Sequence, residues 1–158
     1  MELTQSQKVM KYAALVYAGM FIIAGLVFLI FPERLIGMIN ITSSRIAPSL
    51  APATEAGRFW VSLTVSMMAT ITALSLLIYR DVKRHAVMAV PLAVAKFTSS
   101  LCGLGFFLCG MIMPATGWNT LANLVICITD LPLGILMIAL YRMVKREMNH
   151  SLSRAVGN

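Results

Sequence analysis

Residues 118–141 read WNTLANLVICITDLPLGILMIALY. Apart from Asp130 nothing in this run is charged, and as a helix rising 1.5 Å per residue it is long enough to cross a hydrocarbon core of ~30 Å. Its length decides between a buried soluble helix and a membrane span: buried core helices seldom need so long an apolar run, whereas a span requires one. Moving outward, residues 114–117 (PATG) form a short uncharged turn. Before that turn, residues 86–113 hold a second long apolar run, with a span expected at about 88–112 and its first turn in the headgroups or tilted.

Two further runs complete the pattern, at about 59–79 and 12–31. Across 158 residues, 59% are hydrophobic and only 12% charged, against about 25% charged in ordinary soluble domains. No polar stretch is long enough for a sizeable extramembrane domain. The expected fold is therefore an all-α integral membrane protein, a single domain over 1–158 with four transmembrane helices in an up-down-up-down bundle. The first run is read as a retained span rather than a cleaved signal peptide. Its apolar core exceeds a typical signal h-region of roughly 7–15 residues, and it ends in Phe31, Pro32, Glu33 and Arg34 instead of a small-residue cleavage site. Pro32 should stop that helix. Residues 33–41 (ERLIGMINI) then suit a short interfacial helix, followed by a Ser/Pro/Ala loop over 42–53 and an N-cap at Thr54 with Glu55 in the first turn.

The net charge is +7. In a soluble protein this would raise nucleic-acid binding, but no folded basic module is present, and positive charge concentrates in cytoplasmic loops of membrane proteins. Lys8 and Lys11, then Arg80, Lys83 and Arg84, then Arg142, Lys145, Arg146 and Arg154 place nine cations on one side, against Arg34, Arg45 and Arg58 on the other. Both termini are thus expected to be cytoplasmic. Tyr12, Tyr79 and Tyr141 fall at inner span ends and Trp60 and Trp118 at outer ends, as aromatic belts do. The four-span layout and the Phe31-to-Arg34 segment are similar to those of small bacterial membrane proteins, so the expected location is a bacterial inner (plasma) membrane.

Two charged residues, Lys96 and Asp130, lie inside spans. Such residues are functional candidates by default, since each costs about 2.5–3.5 kcal/mol near the bilayer centre on insertion scales. With the hairpin apex at Pro114, both sit at nearly the same depth on antiparallel neighbours and can form an ion pair. Ser99, Ser100 and Gly103 share the Lys96 side of their helix, three, four and seven residues on. Asn119, Asn123, Cys127, Asp130 and Gly134 form a polar and small stripe on the fourth span. Ser62, Ser66 and Thr70 recur every four residues on the second, and together these side chains are expected to line a polar seam. Pro91 and Pro132 should each free a carbonyl near the pair. The same residues also suit helix-packing glue and a pair that fixes register.

Other chemistries lack their residues. Cys102 and Cys109 are ~10 Å apart along one helix, too far for a disulfide, and no CxxC occurs. His85 and His150 both fall at the cytoplasmic edge, so a haem held by paired intramembrane histidines is excluded. The 12 methionines are scattered, which favours flexible packing over a copper pathway. No metal cluster, phosphate loop or serine–histidine pair is present. Expected, then, is a non-catalytic accessory or structural subunit of a larger membrane complex, without a cofactor, contacting lipids and other membrane subunits. The alternative is a small oligomeric transporter or channel that uses Asp130 and Lys96 for proton or ion handling. A lipid-modifying enzyme is a weaker third class, for want of a nucleophile.

Overall fold

The computed structural model describes residues 3–53 and 57–156, side chains at 57–60 and 152–156 excepted. Thr54 and Glu55 lie outside the described residues, as do the side chains of Arg58, Trp60 and Arg154. The chain folds as α1 (Gln5–Ile30), α2 (Pro32–Ile46), α3 (Gly57–Arg80), α4 (Val82–His85), α5 (Ala89–Ile112) and α6 (Leu121–Val156). Short 3-10 turns occupy Ala86–Met88 and Pro114–Thr116, and no strand occurs among the described residues. Helices α1, α3, α5 and α6 are each long and apolar enough to cross a membrane.

Local chemistry sets the breaks. Helix α1 starts at a capping box in which Thr4 Oγ1 accepts from the Gln7 amide and the Gln7 side chain accepts from the Thr4 amide at 3.1 Å. Pro32 ends α1 and opens α2, taking the first helical position, where its missing N–H has no intrahelical role. Asp81 separates α3 from α4, its carboxylate accepting from the Arg84 amide at 3.1 Å. The turn before α6 closes on Gly117, whose φ of 64° is the left-handed conformation that favours glycine. Thr120 caps α6, its hydroxyl accepting from the Asn123 amide at 3.3 Å.

Several helices outrun the expected limits. Helix α1 begins at Gln5, inside the polar lead, because the capping box satisfies its first amides. Helix α2 extends to Ile46, through residues expected as loop; Thr42 and Ser44 return their hydroxyls to Met38 and Ile41 carbonyls, so they stay helical. Helix α6 continues past Tyr141 to Val156 because its basic tail contains no glycine or proline before that point. Pro91 stands in the first turn of α5, where no intrahelical hydrogen bond is lost, so only Pro132 interrupts a helix interior.

Helix α1 packs along α3 and α5 along α6; the two pairs touch each other less, through α1 with α6 and α3 with α5. The shared core sits toward the end where α1 starts and α3 stops. It includes Met10, Ala14, Tyr17 and Phe21 from α1, Ile71 and Ile78 from α3, Leu92 and Ala93 from α5, and Met137, Leu140 and Val144 from α6. Toward the other end few side chains are buried, and small ones dominate: Gly25, Ser100, Gly103 and Gly110. There α2 bridges α1 and α6. Asn40 exchanges two hydrogen bonds with the Ala53 backbone, at 2.9 and 2.8 Å, and Ala51 pairs with Thr120. The remaining apolar surface faces outward, as at Ile23, Leu101 and Ile112, the last 80% exposed, which suits hydrocarbon rather than water.

Candidate functional site: a clasped ion pair

Helices α5 and α6 approach closely because glycine lies at their crossing, and there a lysine and an aspartate side chain meet. A Cβ on Gly103 would stand 2.7 Å from the Asn123 carbonyl oxygen, and one on Gly110 would stand 2.2 Å from the Asn119 amide nitrogen. Gly134 leaves room for Lys96 and Phe97, whose side chains would come within 3.3 and 3.1 Å of a Cβ there. In lipid, where apolar side chains gain nothing by leaving solvent, such backbone approach and the hydrogen bonds it permits are what join helices.

At this crossing Lys96 Nζ lies 3.0 Å from Asp130 Oδ1. The lysine side chain is 3% exposed and the aspartate 14%. Ser99 Oγ donates to Asp130 Oδ2, so each carboxylate oxygen has a donor, and Ser99 Oγ also lies 3.1 Å from the Lys96 carbonyl oxygen. One turn away, Ser100 Oγ donates to the Cys127 carbonyl at 3.1 Å, with the Cys127 thiol 3.6 Å off. The ammonium is covered from the other helix pair: Lys96 Nζ sits 4.1 Å from the centroid of the Phe21 ring on α1. Tyr17, one turn before Phe21 and 5.6 Å from it ring to ring, is buried with its hydroxyl unbonded among the described residues.

Of the expected seam, the structure brings Lys96, Asp130, Ser99 and Ser100 together. The others lie elsewhere. Ser66 and Thr70 are exposed and return their hydroxyls to Leu63 and Ser66 carbonyls, at 3.0 and 2.9 Å, on a face of α3 turned from the pair. Ser62 is exposed on the same face. A hydroxyl that can bond its own helix needs no interior partner, so four-residue spacing alone did not say which way the stripe pointed. Asn119 precedes α6, and Asn123 donates to the Trp118 carbonyl at 2.8 Å, closing the turn rather than joining the pair. Sequence reasoning missed Phe21 and Tyr17. Their signal was present, since Met10, Ala14, Tyr17 and Phe21 recur at alternating spacings of four and three, the mark of one buried helix stripe.

A second polar contact ties α1 to α6. Thr4 and Ser6 both donate to the Glu147 carboxylate, Ser6 at 2.6 Å. All three cysteines are free, and no metal-ligating cluster occurs among the described residues. Fold and site together define a class: a multi-pass helical membrane protein with a charge pair closed inside its apolar helices. No protein family, curated protein or solved structure matches the chain.

Proposed function

We propose that this protein is a non-catalytic accessory subunit of a larger membrane protein complex, contributing helix faces and lipid contacts. The observation that carries the reading is the saturation of the ion pair. Both oxygens of Asp130 accept a hydrogen bond, and the Lys96 ammonium is held between that carboxylate and the Phe21 ring. A pair arranged this way fixes helix register and fastens α5–α6 to α1, and its charges compensate each other in a medium that would penalise either alone.

The reading includes an arrangement in the membrane. The four long helices form an up-down-up-down bundle with both termini in the cytoplasm of a bacterial cell, and α2 lies in the outer interface. The basic residues support this, as do two contacts at the core end: Lys11 Nζ lies 5.0 Å from the Tyr79 ring centroid and Lys145 Nζ 5.7 Å from that of Tyr141. Cation and belt aromatic thus meet on the side where positive charge is expected.

One observation favours the transporter reading as a second: the buried, unbonded Tyr17 hydroxyl belongs to the helix that covers the pair. Gentle extraction from native membranes, followed by native mass and identification of co-purifying chains, separates the two. A stable assembly with unrelated subunits is expected. A homo-oligomer alone overturns the accessory reading and makes ion flux through Asp130→Asn in vesicles the next measurement.

A further inference from the structure

Away from the ion pair, the outer half of the α1–α3 pair carries an open groove of about 710 Å³ where α1 turns into α2. A second groove of about 340 Å³ continues from it along α1 and α3 and shares Leu29, Val65 and Ala69 with the first. Each volume falls within that of a ligand cleft, which typically runs ~300–1,000 Å³. Along α3 it reaches from Ser62 to Leu76, roughly 21 Å, more than one leaflet of a ~30 Å hydrocarbon core.

The two ends differ chemically. The inner end is lined mostly by apolar residues around Gly25, with Phe21 and Thr72 among them. The outer end holds Glu33, Arg34, Ser62 and Ser66. Arg34 stacks over the Phe31 ring at 5.3 Å and has no carboxylate in salt-bridge range among the described residues. The Ser62 hydroxyl makes no hydrogen bond within the described chain, whereas Ser66 spends its proton on Leu63. In the membrane arrangement proposed above, a cation, an anion and a free hydroxyl thus stand at the headgroup level above an apolar trough.

We infer that this groove binds one membrane phospholipid whose head carries a phosphate and a primary ammonium. One acyl chain lies in the trough past Ala69 and Gly25, Arg34 and Ser62 take the phosphate, and Glu33 takes the ammonium. The neighbouring opposite charges select this head over an anionic one, which would meet the Glu33 carboxylate, and over a quaternary amine, which has no N–H to give it.

The test uses the full chain in nanodiscs or mild detergent, with retained lipid counted by native mass spectrometry against phosphatidylethanolamine, phosphatidylcholine and phosphatidylglycerol. One phosphatidylethanolamine per chain should be retained in preference to the other two. Arg34→Gln should lower its retention roughly tenfold, the loss of one charge-assisted contact. Glu33→Gln should abolish the preference over phosphatidylcholine while leaving binding. Ala69→Phe should block the trough; if that variant does not accumulate, the two headgroup variants decide alone. Equal retention of the three lipids, or an Arg34→Gln chain that retains lipid as before, overturns the inference. So does a second copy or a partner helix cross-linking into the groove at Ala69.

Discussion

The two helix pairs solve the same problem differently. Helices α5 and α6 are joined by backbone approach at Gly103 and Gly110, by a charge pair and by hydroxyl bonds from Ser99 and Ser100 across the interface. Helices α1 and α3 have no comparably close approach: a Cβ added at Gly25 would stand an ordinary 3.5 Å from the Met68 Cβ, and the buried hydroxyls at Thr72 and Ser75 bond nothing within the described chain. The first pair is stitched; the second is only laid together, and it is the second that leaves a groove. In hydrocarbon, where burial supplies little, the difference teaches that cohesion follows polar bonds and small residues, while space for an occupant opens where they are missing.

The sharpest way to break the comparison is to remove one charge from the stitched pair. Asp130→Ala leaves Lys96 buried and unpaired and should lower stability by about 3–5 kcal/mol, measured by unfolding in detergent. The double change Lys96→Met, Asp130→Leu should recover most of that loss, and a double mutant as unstable as the single one would mean the pair does more than hold helices. Next in size is Gly110→Ala, whose methyl meets backbone and should destabilise by about 3 kcal/mol, whereas Gly105→Ala, with open space around it, should be neutral or slightly stabilising. Ser100→Ala should lose about 0.6 kcal/mol, the usual worth of one interhelical bond in a membrane. On the laid pair the sign should change: Ser75→Ala removes a buried hydroxyl without a partner, so equal or higher stability is expected. Were Ser75→Ala as harmful as Ser100→Ala, the contrast between the pairs would be gone.

How much of this was legible beforehand depended on which coordinate a residue encodes. Depth was legible. Apolar run length, the breaks at Pro32 and Pro114 and the position of Lys96 relative to Asp130 all follow from counting along antiparallel helices. Azimuth was legible only where a side chain has no local alternative. Lys96 and Asp130 cannot satisfy themselves on their own helices, so they had to meet something; Ser66 and Thr70 can, and did. Lateral order was not legible at all. That the α1 stripe ending in Phe21 would cover Lys96 depends on which helices are neighbours, and no spacing within one helix carries that information. The end of α6 was not legible for a simpler reason: the apolar run to Tyr141 limits a span, and apolarity marks where a membrane ends, not where a helix does.

That length has a mechanical meaning. Helix α6 has 36 residues, ~54 Å of continuous rod, while its apolar run stops at Tyr141. About 22 Å of it runs on beyond Tyr141; Val144 and Met148 hold the first half against the core, and the last eight residues, ~12 Å, extend past those contacts as a short mast. The bonds from Thr4 and Ser6 to Glu147 act as a stay partway along the extension, so it moves with the body of the molecule. Any tilt of the body is delivered at the mast's tip as a swing amplified by the length of the lever.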